Sequence, residues 1–194
     1  MRIAILTGGG DAPGLNAAIR GVARRAFQLG DRVMGVKNGW AGALEGDLEE
    51  LRPESVRGIL PLGGTILGTS RTNPLKEPDG LKRVINVMRR HAVDGLVAIG
   101  GDDTLSVARG LSDAGFPVVG VPKTIDNDLS ATEFCIGFDT AVTVVVEALD
   151  RLHTTASAHH RVMVVEVMGR DTGWVGMVGG LAGGADLIII PEFE

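Results

Sequence analysis

The first segment of the sequence whose residues could bind a ligand is a glycine-rich loop over Thr7–Asn16, with the sequence TGGGDAPGLN. Its glycines let the backbone come close to an anion. The helix predicted directly after it offers unpaired N–H groups and the positive end of a dipole, and both favour a phosphate. The loop lacks the Lys-Ser/Thr pair of a P-loop and does not fit the dinucleotide-binding fingerprint. A phosphate site and a tight turn between a strand and a helix both explain it.

A second loop, Gly100–Thr104, has the sequence GGDDT and places two carboxylates, Asp102 and Asp103, directly after two glycines. An acidic pair beside a phosphate site requires a cation, and Mg²⁺ with oxygen ligands is the expected one. The alternative is the start of a helix, where either carboxylate could cap the first N–H groups without any ligand.

A third loop, Pro122–Asp128, has the sequence PKTIDND and contains a cation, a hydroxyl and two carboxylates. A carboxylate here can take a proton from a sugar hydroxyl, while its neighbour holds a metal ion or orients the base. A solvated turn could have the same composition. Each of the three loops follows a predicted strand, and a parallel sheet brings such loops to one edge, which favours the catalytic interpretation.

Two arginines in glycine-containing segments, Arg71 and Arg170, suit phosphoryl transfer, which depends on positioning and charge neutralisation more than on covalent chemistry. A third, Arg161, follows His159 and His160 at the start of a predicted strand. An adjacent histidine pair could bind a metal ion, but it is more often a surface or hydrogen-bonded pair.

The elements that must position these loops alternate short β-branched runs with helical patterns. Strands are predicted at Arg2–Thr7, Arg32–Lys37, Gly95–Ile99, Pro117–Val121, Arg161–Val167 and Asp186–Ile190. Helices are predicted at Leu15–Leu29, Pro53–Leu60, Gly80–His91, Thr104–Ala114, 139–157 and Trp174–Leu181. This alternation, with strands that are continuous apolar runs, predicts an α/β fold with a three-layer, doubly wound, mostly parallel sheet.

A polar segment without periodicity, Asn127–Asp139, is the candidate domain boundary. We therefore expect a donor-binding α/β domain over residues 1–137. Residues 138–194 would begin a second, similar α/β domain that binds the sugar phosphate.

The bulk composition excludes several classes of protein. The 194 residues carry a net charge of -5, which gives no general attraction to nucleic acid or to an anionic membrane. A bound phosphate must therefore be held by local groups. The single cysteine, Cys135, excludes a disulfide framework and is expected to be a buried thiol. The apolar run Met1–Thr7 is too short for a signal peptide or a membrane span, and a cytoplasmic location is the expectation.

Together the loops resemble the phosphofructokinase family over essentially the whole chain. The matching segments are 9–16 (GGDAPGLN), 100–102 (GGD), 124–128 (TIDND), 137–141 (GFDTA) and 168–170 (MGR). Several motifs in the same order are specific to this family, whereas a GGD loop alone is not, since lipid kinases and NAD kinases are similar there.

The resemblance implies reversible transfer of a phosphoryl group to the 1-hydroxyl of fructose 6-phosphate with Mg²⁺, giving fructose 1,6-bisphosphate. By motif, the donor and metal residues are Gly10 at the donor phosphates, Arg71 at the transferring phosphate and Asp102 at the metal ion. The same comparison makes Asp126 the proton acceptor, with Thr124 and Asp128 beside it at the substrate and metal.

The resemblance also implies contacts to the sugar phosphate from Met168, Gly169, Arg170 and Glu192. Arg161 matches an arginine that reaches across from a neighbouring subunit in this family. A homo-oligomer, dimer or tetramer, is therefore implied.

Two positions point to pyrophosphate as the donor. In ATP-using members the second and third loops resemble GGDG and PGTIDND. This chain has Asp103 in place of the last glycine of GGDG and Lys123 in place of the glycine of PGTIDND. The carboxylate of Asp103 would occupy the place of the α-phosphate of ATP, and Lys123 would add charge beside the compact pyrophosphate. Both are similar to the pyrophosphate-dependent branch, and the ATP-dependent enzyme is the alternative.

Two departures from the family bear on regulation and completeness. Arg20 and Arg24 match effector-binding arginines, but Glu54 and His153 stand where an aromatic residue and an arginine are expected, so control by a nucleoside diphosphate is not expected. Family members continue for well over a hundred further residues, so we expect an amino-terminal portion that is inactive alone. The alternative from another class is a non-catalytic module that binds a phosphosugar or assembles with an intact subunit.

Overall fold

The computed structural model describes residues 1–193. It contains two compact units, Met1–Lys123 and Thr124–Glu194. The division lies fourteen residues before the boundary expected from the sequence, because the break in the packing comes at the end of a strand.

The first unit is built on a mostly parallel sheet. Its strands are β1 (Arg2–Thr7), β2 (Arg32–Val36), β3 (Leu48–Leu51), β4 (Gly95–Gly100) and β5 (Val118–Thr124). They lie in the order β3-β2-β1-β4-β5. Strand β1 pairs in parallel with β2 and β4, and β4 pairs in parallel with β5, whereas β3 runs antiparallel to β2. The central position of β1 and β4 brings the loops that follow them side by side.

Helices cover both faces of this sheet. They are α1 (Leu15–Gln28), α2 (Trp40–Glu45), α3 (Gly80–Arg90) and α4 (Asp102–Asp113). Alternate residues of β1 face opposite cores: Ile5 packs with α1, and Ala4 and Leu6 pack with α2, α3 and α4. The predicted three-layer, doubly wound fold is therefore confirmed.

Three short elements of the first unit were not predicted, and one predicted element is wrong. Helix α2 and strand β3 lie on either side of Gly46, whose φ of 86° ends the helix. The expected helix Pro53–Leu60 is instead a series of turns, and Gly58 within it has a φ of 74°. A single turn of 3₁₀-helix, Pro74–Lys76, was also missed.

The second unit contains β6 (Ile136–Gly137), α5 (Phe138–His159) and α6 (Trp174–Ala182). The two helices pack closely because α6 is rich in glycine. A Cβ on Gly179 would lie 2.8 Å from Cγ1 of Val145, and one on Gly183 would lie 2.5 Å from Cδ1 of Leu149. Both predicted helices are thus present within a few residues of their expected bounds.

The predicted strands Arg161–Val167 and Asp186–Ile190 are wrong for the part of the chain that the structure describes, where neither segment forms a strand. Their β-branched residues suit a sheet, but a strand also requires a paired neighbour that completes its hydrogen bonds. Val162 and Val164 are accordingly 93% and 92% exposed. No helix within residues 1–193 is both long and apolar enough to cross a membrane.

Candidate active site

The glycine loop after β1 and the acidic loop after β4 are joined through one buried side chain, Thr104. A Cβ on Gly8 would lie 2.5 Å from Oγ1 of Thr104, and a Cβ on Gly100 would lie 2.4 Å from its Cβ. Thr104 itself is 2% exposed. Glycine at positions 8 and 100 is therefore required for packing, because any larger residue would push the two loops apart.

Gly10 has no such packing requirement. A Cβ there would meet nothing within 4 Å, and its φ does not lie in the left-handed region. The residue is exposed at the tip of the loop. The space next to its backbone is open, as expected for the place where a ligand approaches.

The ammonium group of Lys123 lies at the same loop. Its Nζ donates a hydrogen bond to the carbonyl of Gly10 at 2.5 Å, and the side chain is only 4% exposed. A buried ammonium group requires polar partners, and here it places positive charge directly below the exposed tip of the loop. The structure thus brings together two of the residues predicted to bind the donor.

Arg71 is placed beside the first loop through its neighbour Ser70. The N–H of Gly9 donates to the carbonyl of Ser70 at 3.0 Å, and the hydroxyl of Thr69 donates to the carbonyl of Gly9. The side chain of Arg71 is exposed and takes part in none of the ion pairs formed within residues 1–193. Its charge is available to an anion that enters from solvent.

The two adjacent carboxylates lie in the first turn of α4 and are exposed. The helix is capped by Gly101 without any side-chain hydrogen bond, so neither Asp102 nor Asp103 serves as its cap. Asp103 accepts a hydrogen bond from Nδ2 of Asn73 at 3.3 Å. No sequence pattern singles out Asn73, which lies thirty residues before Asp103 in the chain.

No three His, Cys, Asp or Glu side chains within residues 1–193 are grouped so that they could hold a metal ion by themselves. This does not disfavour Mg²⁺, because that ion is commonly held by one or two carboxylates together with substrate phosphates. The exposed oxygens of Asp102 fit such a role. The predicted alternative of a histidine metal site at His159 and His160 is not supported.

The predicted base, Asp126, lies in a segment of the second unit that is held by several hydrogen bonds. Its N–H donates to Oγ1 of Thr124 at 3.1 Å, and its carbonyl accepts a hydrogen bond from Oγ1 of Thr172 at 2.8 Å. Asn127, with a φ of 51°, accepts from the N–H of Cys135 and donates to the carbonyl of Glu133. The backbone around the base is therefore fixed, although Thr172 and Asn127 were not singled out from the sequence.

The environment of Asp126 favours its protonated form. Burial raises the pKa of this carboxyl above its ordinary value, and the nearby carboxylate of Asp128 raises it further. Arg170 opposes this shift, while Asp171 adds to it. A raised pKa brings a carboxylate closer to the working range of a general base at neutral pH.

The segment expected to contact the sugar phosphate lies next in this unit. Met168, Gly169 and Arg170 are exposed, and Nε of Arg170 lies 3.2 Å from a carboxylate oxygen of Asp171. Glu192 accepts a hydrogen bond from the N–H of Gly173 at 2.7 Å. The segment is thus linked at Thr172 to the base and at Gly173 to Glu192.

Two predicted residues stand apart from these contacts. Arg161 is exposed just after α5, and its backbone N–H donates to the carbonyl of Ala156 at 2.9 Å. Asp128 is exposed and acts on Asp126 through its charge.

The expectation of a buried thiol is confirmed, since Cys135 is 4% exposed.

Comparison with known proteins places the chain among phosphofructokinases. The model of the family described as "Phosphofructokinase" matches residues 2–194. The chain is 58% identical to pyrophosphate–fructose 6-phosphate 1-phosphotransferase of Streptomyces coelicolor, over 99% of this chain and 57% of that protein. The protein of the same name from Dictyoglomus thermophilum is 56% identical over 100% of this chain and 56% of its own length. ATP-dependent 6-phosphofructokinase 3 of Streptomyces coelicolor is 54% identical, over 99% of this chain and 57% of that protein.

Solved structures show the same similarity. Phosphofructokinase from Pichia pastoris in the T-state superimposes with a TM-score of 0.89 and 38% identity, over 98% of this chain and 22% of that one. Pyrophosphate-dependent phosphofructokinase from Marinobacter aquaeolei gives a TM-score of 0.84 and 27% identity, over 100% of this chain and 54% of that one. The chain thus spans a little over half the length of the curated relatives that it matches.

Proposed function

The chain belongs to the phosphofructokinase family, and from that membership we propose that it carries the donor and acceptor sites of a pyrophosphate-dependent phosphofructokinase. The reaction transfers a phosphoryl group from pyrophosphate to the 1-hydroxyl of fructose 6-phosphate. The products are fructose 1,6-bisphosphate and phosphate, and the reaction is reversible. Such a step of sugar metabolism belongs in the cytoplasm.

The observation that carries this proposal is the pair of charges at the donor loops. Lys123 places a buried ammonium against Gly10, while Asp103 presents an exposed carboxylate from the first turn of α4. The cation suits a small anion with dense charge. The carboxylate disfavours a longer donor, because the α-phosphate of ATP would meet a like charge, and specificity often depends on such a repulsive element.

In the proposed reaction Asp126 takes the proton of the 1-hydroxyl as that oxygen bonds to a phosphorus atom of pyrophosphate. The bridging P–O bond breaks, and its electron pair leaves with the departing phosphate. Lys123 and Arg71 neutralise the charge on the phosphoryl oxygens, which is the main protein contribution to reactions of this type. Thr124 and Asp128 flank the base and complete the acceptor side.

Sugar phosphate binding is assigned to Met168, Gly169, Arg170 and Glu192. The exposed guanidinium of Arg170 supports this, as does the link from Glu192 to the N–H of Gly173. Arg161 would act on the substrate of a neighbouring copy, which makes the enzyme a homo-oligomer, either a dimer or a tetramer. Its exposed position supports that assignment.

Mg²⁺ is the proposed cofactor, and Asp102 is the residue that would hold it. When bound, the ion would neutralise phosphate oxygens and polarise the group to be transferred. The exposed carboxylate of Asp102, which caps no helix, leaves oxygen ligands for that purpose.

The test compares kcat/KM for pyrophosphate and for ATP in the full-length enzyme, its Asp103→Gly variant and its Lys123→Gly variant. We expect the wild type to use pyrophosphate well and ATP poorly. Asp103→Gly should shift the ratio toward ATP, and Lys123→Gly should reduce pyrophosphate use most. Ser106→Gly, at an exposed position of the same helix, is the matched control for glycine in α4. A wild type that prefers ATP would contradict the proposal.

The second candidate is an ATP-dependent 6-phosphofructokinase, because a protein of that name is 54% identical to this chain. It predicts the opposite donor preference in the same assay. A non-catalytic module is the third, and it predicts no turnover with either donor in the full-length protein. The carboxylates Asp102, Asp126 and Asp128 disfavour it, since a protein that only binds does not require them.

A further inference from the structure

We propose that Asn73 is a positioning residue that holds the carboxylate of Asp103 in the orientation that discriminates between donors. The proposal rests on the proposed function, since it concerns the preference for pyrophosphate over ATP. It starts from the hydrogen bond between Nδ2 of Asn73 and Oδ1 of Asp103.

The two ends of the Asn73 amide are committed to different partners. Its Oδ1 accepts a hydrogen bond from the N–H of Leu75 at 2.9 Å, which caps the 3₁₀-turn that begins at Pro74. Because the oxygen faces Leu75, the amide nitrogen must face away from it, and there it meets Asp103 at 3.3 Å. The orientation of the amide is thus determined by the cap.

The turn that carries Asn73 is itself firmly placed. Pro74 is buried, and a Cβ on Gly80 would lie only 2.1 Å from its carbonyl oxygen, so α3 begins in direct contact with the turn. The 3₁₀-turn also packs on α4. Asn73 therefore stands on a fixed support beside the first turn of the helix that presents Asp103.

Asp103 depends on such a support more than a core residue does. Its side chain is exposed in the first turn of α4, where an unrestrained carboxylate can occupy several staggered rotamers. Repulsion of an α-phosphate is strongest when the carboxylate points steadily into the donor site. Asn73 would supply this restraint, and it lies two residues after Arg71, on the segment already assigned to the transferring phosphate.

The test is a double-mutant cycle in the full-length enzyme. Asn73→Ser retains a hydroxyl that can cap the 3₁₀-turn but is too short to donate to Asp103. We expect this substitution to lower the ratio of kcat/KM for pyrophosphate to that for ATP by about 5- to 10-fold, the effect of losing one hydrogen bond to a charged group at a solvated site. In an Asp103→Gly background the same substitution should change the ratio by less than about 2-fold, since its partner is gone.

Equilibrium binding by calorimetry gives the ratio of the dissociation constants for pyrophosphate and ATP without turnover, so a variant with an impaired chemical step still gives an answer. The same direction of change is expected in this second ratio. Asn86→Ser, an exposed asparagine on α3, is the matched control and should leave the ratio unchanged. An unchanged ratio in Asn73→Ser would overturn the inference, as would an equal change in both backgrounds, which is the mark of a merely structural role. A wild type that prefers ATP overturns the proposed function first, and this is visible before any variant is made.

Discussion

At the scale of single residues, the protonation of Asp126 links the structure to the proposed chemistry most directly. The carboxyl is half-buried, lies near Asp128 and has a raised pKa for both reasons. Because only the carboxylate accepts a proton, a raised pKa extends the protonated, inactive form to higher pH. In its proposed role as the base, Asp126 would therefore also make the rate sensitive to acid.

We expect Asp126→Asn to lower kcat by about 10²- to 10⁴-fold, the usual contribution of a general base. Binding of fructose 6-phosphate should be nearly unchanged, because the amide is almost isosteric with the carboxyl. In the wild type kcat should fall as the pH drops through the raised pKa of Asp126, and the residual rate of the variant should not show this step. Steady-state kinetics against pH, together with calorimetry for the sugar phosphate, would test both points. Near-normal turnover in the variant would remove Asp126 from this role.

At the scale of loops and helices, two glycines of the same loop in the first unit are needed for different physical reasons. Gly8 is required because Thr104 fills the space beside it, whereas Gly10 has open space where a side chain would be. The sequence pattern indicates a phosphate loop, but it could not show which glycine is needed for packing and which leaves space for a ligand. Thr104, which decides this, lies almost a hundred residues further along the chain.

Alanine at the two positions should therefore give opposite results. We expect Gly8→Ala to destabilise the protein by about 1–3 kcal/mol, as overpacking does, since its Cβ would lie 2.5 Å from Oγ1 of Thr104. Gly10→Ala should leave the free energy of unfolding within about 0.5 kcal/mol of wild type and weaken pyrophosphate binding. Urea unfolding and calorimetry provide the two measurements. Loss of stability in Gly10→Ala, without loss of binding, would contradict this division.

A second connection between elements joins the sugar-phosphate segment to the base in the second unit. Thr172 donates to the carbonyl of Asp126 at 2.8 Å. We expect Thr172→Val, which keeps the shape and removes the donor, to lower kcat by about 5- to 10-fold, whereas Thr172→Ser should retain most of it. The comparison should be made as kcat and KM separately, with thermal unfolding as a check. A loss in Thr172→Ser with little or none in Thr172→Val would contradict this, because it would show that the methyl group of Thr172, and not its hydroxyl, matters.

The helices and the central strands followed from the sequence because their hydrophobic periodicity is local. Helices α1 and α3 begin where expected and end within one residue of the prediction. The segments Arg161–Val167 and Asp186–Ile190 failed because strand formation depends on a partner that the local pattern does not contain. The motifs could likewise be recognised because each is local, and the roles of their residues stay predictions. Asn73, Thr104 and Thr172 instead make contacts to residues remote in sequence, which no local pattern shows.

At the scale of the whole molecule, the second unit exposes a considerable apolar surface. Val162, Val164, Leu187 and Ile189 are 93%, 92%, 78% and 84% exposed. Exposed apolar side chains of this kind promote association between copies.

We expect the 194-residue chain to self-associate in a concentration-dependent way. The double variant Val164→Thr with Ile189→Thr should reduce this association, because it places a hydroxyl at each position and removes apolar surface. Leu60→Thr changes an exposed leucine of the first unit and is the matched control. Sedimentation velocity over a range of concentrations would distinguish these cases. A monomer at all concentrations in the wild type would contradict the expectation.

The exposed position of Asp103 also has an evolutionary consequence. The side chain has no part in the hydrophobic core, so its replacement costs the fold little. Aspartate and glycine codons differ by a single nucleotide at the second position, so one point mutation removes the carboxylate. On the proposed role of Asp103, a lineage could therefore shift its donor preference toward ATP without first acquiring stabilising substitutions elsewhere. The similar identities of 58% and 54% to relatives named for the two different donors are compatible with such a shift.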